Sequence, residues 1–415
     1  MSALPVPAAD SVGHMLVELH NYSHLSATYG QRYARAALQA LQLSVHVAGG
    51  SVAVAGHNRF IAVLPDTVAG VGHAGAPVPA SAAERWQLQF CARPFLHEGQ
   101  AALPVTTVDA VQISAGEYAD GGLYEPQELE RQCGAAPFLR PVQCGWNWRI
   151  GYEADMAQAL AFHDALAKGQ VSLAFQPVVR RSRSANAADR RPLGQLYQEA
   201  LLRFDVPQLS PATLVPALER LGLVRLLDRA VLDAVIDRLD VEPTLRIGCN
   251  LSSLSLIGDA WWCGPLQRLQ ANPSLAARLT LEITETAALI DFDSAVQFVR
   301  RLQALGCQIA IDDFGDGHTR LDFVRAIQPQ IIKISGSLLS AAVRSSAGAE
   351  EFSHLAALSG ALAPYVVAEG VGCQQHVLVA LVGGATCLQG DAVARPAMLR
   401  PSVRVVLPSI CPVPP

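Results

Sequence analysis

Apolar and polar positions along the chain follow two rhythms, which change over near residue 150. Residues 14–65 read as strand, helix, strand, strand: HMLVELHNY, the helical QRYARAALQALQL, then SVHVA and SVAVAGHNRFIAVLP. In the helix Tyr33, Ala36, Leu38 and Leu41 recur at helical spacing. DTVAGVGHAGAPVPASAA is rich in Pro, Gly and Ala and predicts a loop. WQLQFCARPF predicts a further strand, and QCGWNWRIGYE, which has no clear period, predicts a linker. The expected division is an α+β unit over 1–135, a linker over 136–154 and a larger unit over 155–405.

From Asp155 the pattern is regular. MAQALAFHDALAKGQ predicts an amphipathic helix that stops near Gly169. Eight short apolar runs follow: VSLAFQPVV, QLYQEALLRF, LRIGCNLS, RLTLEITE, CQIAIDDFG, QIIKIS, YVVAEGV and ATCLQG. Helical stretches such as SAVQFVRRLQALG and HLAALSGALA separate most of them. Strand alternating with helix over about 250 residues predicts an α/β fold, a (β/α)8 TIM-like barrel. The first two strands are joined by RRSRSANAADRRP, too loop-like for a helical crossover. They are expected to pair as an antiparallel hairpin, with the basic loop as its solvated tip.

Composition excludes several classes. The 415 residues are 51% hydrophobic and 16% charged, with a formal charge of −5. This is a globular balance, without the basic face that a nucleic-acid polymer requires. The first residues, MSALPVPAAD, lack the basic and apolar regions of a secretory signal. The apolar run from Leu41 to Val68 is interrupted by His46, His57, Asn58 and Arg59, so no membrane span is expected. Nine cysteines form no C-x-x-C pair, which argues against a thiolate metal site and fits a reducing cytoplasm.

The candidate chemistry lies where the apolar runs end. The second ends on Glu199, the third on Asn250, the fourth on Glu282 and Glu285, and the fifth on Asp312 and Asp313. The sixth contains Lys333, the seventh ends on Glu369 and the eighth on Gln389. In a barrel of this type the carboxyl ends of the strands converge on one mouth, where reactions are carried out. Several carboxylates packed there repel one another unless protons or divalent cations intervene. Oxygen-only donors suit Mg²⁺ or Mn²⁺ better than zinc. One polar or acidic strand end is ordinarily a turn or a cap; seven in succession, four of them acidic, form a pattern. Of 31 basic residues only Lys168 and Lys333 are lysine. An ammonium retained inside an apolar run suits a slot among carboxylates, where a planar guanidinium does not fit. Cys249, Cys307 and Cys387 read as core packing.

At these residues the chain resembles the EAL family of cyclic-di-GMP phosphodiesterases. The family tripeptide is Glu199-Ala200-Leu201, and FQPVV, CNLS, LEITE, IAIDDFGDG, IIKIS, VVAEGV and CLQG follow the family's blocks in order. The resemblance covers roughly 155–400. It implies that Glu199, Asn250, Glu282 and Asp312 are metal ligands, with Asp312 bridging to a second ion alongside Asp313. It further implies that Lys333 and Glu369 surround the nucleophilic water and that Gln389 completes that edge. Gln176 and Arg203 would contact substrate, and Glu285 would steady the loop after the fifth strand. The implied reaction is hydrolysis of cyclic-di-GMP to linear pGpG with two Mg²⁺ or Mn²⁺ ions, in a homodimer formed through the barrel.

There are departures. The family's KID reads Lys333-Ile334-Ser335, the second acid of AEGVE is Gly372, and the loop after the fifth strand carries Asp316, His318 and Arg320. These leave two rivals to an active enzyme: a cyclic-di-GMP receptor and an adaptor working through protein contacts. The amino-terminal unit resembles a degenerate GGDEF domain of ferredoxin-like fold. Its signature reads Gly56-His57-Asn58-Arg59-Phe60, and His20 stands where a metal-site acid belongs. A regulatory unit is expected there, open to GTP or a protein partner.

Overall fold

The computed structural model describes residues 13–54, 56–64, 80–111, 145–181, 192–284, 289–316 and 320–408. Residues 66–79 of the Pro/Gly/Ala-rich loop, residues 182–191 of the arginine-rich hairpin tip, Glu285, His318 and the first part of the expected linker lie outside the described residues. The last four residues of that expected loop are instead the start of the helix Ala80–Cys91.

The amino-terminal unit is a four-stranded antiparallel sheet, built from β1 (Gly13–Leu19), β2 (Ser51–Val54), β3 (Arg59–Leu64) and β6 (Thr106–Val111) in the order β2-β3-β1-β6. A small hairpin, β4 (Phe95–His97) with β5 (Gln100–Ala102), precedes β6. With helices Gln31–Val47 and Ala80–Cys91 between its strands, this is the expected α+β, ferredoxin-like arrangement.

Three local expectations are corrected. SVHVA is no strand: Val45 extends the buried stripe Tyr33, Ala34, Ala37, Leu41, so the helix runs on to Val47. WQLQFC is helical, although Trp86, Leu88 and Phe90 alternate like strand positions. The helix is covered on several sides, with Ala82, Ala83 and Gln87 also buried, and this erases its amphipathic stripe. The second half of the expected linker is the start of a 22-residue helix, Trp146–Ala167. Its first turns pack Trp148 and Tyr152 on each other at 5.4 Å, with His24 5.8 Å from Tyr152. These contacts face the amino-terminal unit, so the stretch lacks the periodicity of the turns that face the barrel.

The larger unit is a closed eight-stranded barrel. Its strands are β7 (Val171–Arg181), β8 (Pro192–Phe204), β9 (Ile247–Ser252), β10 (Leu279–Thr284), β11 (Gln308–Phe314), β12 (Ile331–Ile334), β13 (Tyr365–Ala368) and β14 (Cys387–Leu388). They neighbour one another in chain order, and β14 closes onto β7. β7 is antiparallel to both β8 and β14, whereas β8 to β14 run parallel. The expected antiparallel first strand is therefore present. A ninth strand that the periodicity did not reveal, β15 (Ala397–Val405), pairs with Val171–Phe175 of β7, beyond the point where β14 leaves it. Pro401 and a register slip between Met398 and Val403 interrupt its pattern.

Closure at β14 depends on one glycine. Gly390 follows Gln389 at φ 146° and lies against the backbone of Val371, whose N–H donates to the Gln389 carbonyl at 2.9 Å. A Cβ there would fall on the Val371 nitrogen and within 2.5 Å of its carbonyl oxygen. Gly390→Ala should therefore cost about 2–4 kcal/mol, seen as a fall in Tm of about 5–10 °C in thermal melts. An unchanged Tm would show that this approach is not needed for closure.

Candidate active site

Strand periodicity builds the site in two layers. Side chains two apart on a strand share a face. Tyr197, Ala310, Ile331, Val367 and Cys387 pack together with Val178 as one buried cluster inside the barrel. Two residues further along the same strands stand Glu199, Asp312, Lys333, Glu369 and Gln389. Gly248 and Thr280 stand in the same relation to Asn250 and Glu282. Hence an apolar floor carries a polar layer toward the carboxyl ends of the strands, and the layer is nearly dry. Glu199, Glu282, Asp312, Lys333 and Gln389 are all buried.

Lys333 is the hub. Its Nζ lies 3.1 Å from Glu199, 2.5 Å from Glu282, 2.8 Å from Asp312 and 2.8 Å from Glu369. Around it, Asn250 Nδ2 donates to Glu199 Oε1 at 3.1 Å and Gln389 Nε2 donates to Glu199 Oε2 at 2.5 Å. Gln389 Nε2 also reaches Gln176 Oε1 at 3.3 Å, and Gln176 donates to the Ala394 carbonyl at 3.0 Å. Gln176 sits directly opposite Glu199 in the β7–β8 ladder.

Four carboxylates share one ammonium, so their charges do not balance. Burial pushes the Glu282 carboxyl well above its usual range, with Glu199 adding to the shift. Burial likewise raises Asp312, and it raises Glu369 to about 8, in both cases against the pull of Lys333. Burial also acts to raise Glu199, but Lys333 and the hydrogen bonds from Gln389 and Asn250 outweigh it and hold this acid low. Burial alone would lower Lys333; the surrounding acids reverse that and hold it firmly charged. The pocket thus favours added positive charge, as protons or as a cation.

Its donors fit a hard divalent cation. Oxygens of Glu199, Glu282 and Asp312 lie within 4.8 Å of one another. Asn250 Oδ1 and Glu282 Oε1 are buried without a hydrogen-bond partner, a costly arrangement that a cation would relieve. All of these donors are oxygen, as Mg²⁺ and Mn²⁺ prefer.

The remaining candidates are less tightly gathered. Asp313 has φ 51° and is exposed; the β11–β12 register slips between Ile311 and Phe314, so the strand bulges at the two aspartates. Such bulges re-aim side chains. Arg203 is exposed toward the end of β8 and donates to the Leu202 carbonyl at 2.7 Å instead of to the cluster. Sequence reasoning overlooked two members of the floor. Tyr197 is buried beneath Glu199, and a Cβ on Gly248 would lie 2.5 Å from the Tyr197 ring and against Glu282 Oε1. Counting back two residues from Glu199 and from Asn250 would have found both.

A family model described as EAL domain matches residues 159–396, more than half of the chain. The chain belongs to the EAL domain family. An uncharacterized signaling protein of Caulobacter vibrioides is 32% identical to it over 286 residues, covering 67% of this chain and 33% of that protein. The bifunctional diguanylate cyclase/cyclic di-GMP phosphodiesterase MucR of Pseudomonas aeruginosa is 30% identical over 288 residues, 67% of this chain and 39% of MucR. The chain thus spans well under half the length of these relatives. Among solved structures, the PaMucR phosphodiesterase in complex with c-di-GMP aligns with TM-score 0.50 and 27% identity, over 58% of this chain and 97% of that one. A Vibrio cholerae LapD S helix-GGDEF-EAL chain, bound to c-di-GMP, aligns over 92% of this chain and 89% of its own with TM-score 0.50 and 14% identity. That second likeness is one of fold alone, and it extends across both units. Among the described residues no helix is long and apolar enough to cross a membrane.

The floor of this EAL barrel is testable at Gly248. Gly248→Ala should displace Glu282 and Tyr197, lower Tm and weaken Mn²⁺ binding measured by calorimetry. Gly258→Ala, whose Cβ would meet only Phe298 at an ordinary 3.5 Å, should change neither. Equal behaviour of the two variants would rule out the close approach at Gly248.

Proposed function

We propose that the chain hydrolyses cyclic-di-GMP to linear pGpG in a two-metal site at the barrel mouth. The observation that carries this reading is the ring of Glu199, Asn250, Glu282 and Asp312 around Lys333 and Glu369, supplied by consecutive strand ends of an EAL barrel. The PaMucR phosphodiesterase, 27% identical where it aligns, supports the choice of substrate.

Glu199, Asn250, Glu282 and Asp312 would hold one Mg²⁺ or Mn²⁺, and Asp313, on its bulge, would turn toward a second. Ions bound there would neutralise the phosphodiester and lower the pKa of a water molecule. The protein's own groups do the rest. Lys333 presents a compact charge beside the four acids, suited to a phosphate oxygen as negative charge develops. Glu369, raised to about 8 and exposed more than its partners, is placed to orient the attacking water and take its proton. The water adds to phosphorus as its proton passes to Glu369, and the 3′ oxygen leaves and takes up a proton as the ribose hydroxyl, opening one ring linkage. Gln176 and Gln389 line the edge of the mouth, and Arg203, exposed on β8, would pair with phosphate through its planar fork. Glu285 would steady the loop after β11.

The amino-terminal unit is read as a degenerate GGDEF domain with a regulatory role. At its signature turn Asn58 Nδ2 donates to Glu18 at 3.1 Å and the Asn58 carbonyl accepts from Leu19 N–H at 2.8 Å. His20, its basicity lowered by burial, bonds Thr107 at 2.8 Å. These groups tie the sheet together at the place where cyclase chemistry would need free carboxylates.

Chromatography of cyclic-di-GMP incubated with the protein should show pGpG with Mg²⁺ or Mn²⁺ and inhibition by Ca²⁺, whose looser coordination misplaces water. Glu199→Ala should abolish turnover. Tight binding without product in either metal would favour a receptor instead.

Lys333→Arg keeps the charge but widens the head group. A displacement of about 1 Å costs on the order of 10²-fold in rate, so kcat should fall by that much with substrate binding largely kept. Lys168→Arg should be silent, because Lys168 is exposed and, among the described residues, pairs with Asp164 at 2.7 Å, outside the Lys333 cluster. Equal small effects would remove Lys333 from the chemistry.

In the Glu199→Ala background, GTP should yield no cyclic-di-GMP, since Asn58 and Arg59 occupy the signature's acidic positions. Product in that assay would overturn the degenerate reading.

A further inference from the structure

Asn250 is the ligand candidate whose strand leads directly to the amino-terminal unit. Two residues after it, the Ser252 N–H donates to Asp228 Oδ2 at 3.0 Å, and Ser255 Oγ donates to the same oxygen at 2.5 Å. Asp228 is buried on the helix Val224–Val241, outside the barrel. One buried carboxylate oxygen thus fixes the turn by which β9 leaves Asn250, and Ser252 Oγ is held in addition by Glu219 at 2.9 Å.

The next residue on that helix is gripped by the amino-terminal unit. Arg229 is buried; it pairs with Glu84 at 2.8 Å and with Asp233 at 2.8 Å, and donates to the Trp261 carbonyl. Glu84 lies on the amino-terminal helix Ala80–Cys91 and also accepts from Gly264 N–H at 2.9 Å. Packing there is tight: a Cβ on Gly264 would come within 2.8 Å of Glu84 Oε1 and 3.1 Å of Arg229 Nη2. Exposed ion pairs contribute little, but this pair is buried, and breaking a buried pair on one side leaves an uncompensated charge. The helix that carries Asp228 is therefore sensitive to where the amino-terminal unit sits.

We propose that Asp228 is a positioning residue for Asn250, and that Glu84 sets the helix bearing Asp228, so that the amino-terminal unit governs how tightly the barrel mouth binds its cation. This rests on the functional reading above. It gives that unit a role that needs no nucleotide of its own.

The test is Mn²⁺ binding to the full chain without nucleotide, by calorimetry or electron paramagnetic resonance, alongside Tm. Removing the partners that orient a metal's ligands costs roughly 10- to 100-fold in affinity. Asp228→Ala should raise the Mn²⁺ Kd by about tenfold or more on that basis. Asp228→Asn keeps an acceptor oxygen for Ser252 and Ser255 and should rescue most of the loss. Glu84→Gln and Gly264→Ala, both remote from the mouth, should weaken Mn²⁺ in the same direction. Glu84→Gln added to Asp228→Ala should have no further effect on Kd. A lowered Tm with unchanged Mn²⁺ affinity in the Glu84 and Gly264 variants would overturn the link to the amino-terminal unit, even if Asp228→Ala fails to fold. Equal Kd values for Asp228→Ala and the parent would overturn the positioning role. Failure of the parent itself to bind Mn²⁺ would instead sink the metal-site reading, and this proposal with it.

Discussion

Lys333 among Glu199, Glu282, Asp312 and Glu369 is the constraint around which the barrel is arranged. Burying one ammonium is expensive, and burying four acids beside it more so. The cluster survives because its members sit on strands or just past their ends, where the backbone fixes their positions, and because each acid gains the Lys333 ammonium as a partner. The charge imbalance that remains is what makes the site useful. A pocket short of positive charge, with Asn250 Oδ1 and Glu282 Oε1 buried without hydrogen-bond partners, favours a cation over further neutral groups.

The floor follows from the same requirement. A polar layer this dry must rest on something that excludes water, and Tyr197, Ile331, Val367 and Cys387 do so. Crowding sets their sizes. Tyr197 is large where Gly248 beside it is absent of side chain, and Glu282 leans into the space so created. The bulge at Asp312 and Asp313 interrupts strict alternation at one point and puts adjacent acids to different uses, one buried and one exposed.

Most of this was legible because it depends on alternation and on strand ends. The eight runs, the hairpin at the start and the polar residues that end seven of the runs can all be read without coordinates. What escaped reading was covered from more than one side. The helix Ala80–Cys91 lies between its own sheet and the barrel, so Trp86, Leu88 and Phe90 imitate a strand. The helix from Trp146 spends its first turns on His24 of the amino-terminal unit. β15 is interrupted by Pro401 and a register slip. In each case tertiary contacts overrode the local period. Arg203 shows the opposite limit: motif spacing put it on β8, but the side chain's present direction is set by the nearest carbonyl.

The departures from the family pattern illustrate why residues are better weighed in pairs. Ser335 and Asp316, read along the chain, are two separate losses, an acid gone from β12 and a foreign acid in the loop after β11. In space they are one feature. Ser335 Oγ donates to Asp316 Oδ2 at 2.9 Å, and Ser337 donates to the same oxygen. Those two bonds hold the Asp316 carboxyl below its ordinary range. A carboxylate therefore persists beside the end of β12, carried by the neighbouring loop instead of the strand. Its charge stays at the rim, while the Lys333 cluster two residues below keeps its own balance of four acids to one ammonium. Substitution at one strand end is thus compatible with an intact inner layer, because the alternation that builds the layer does not depend on the residues above it.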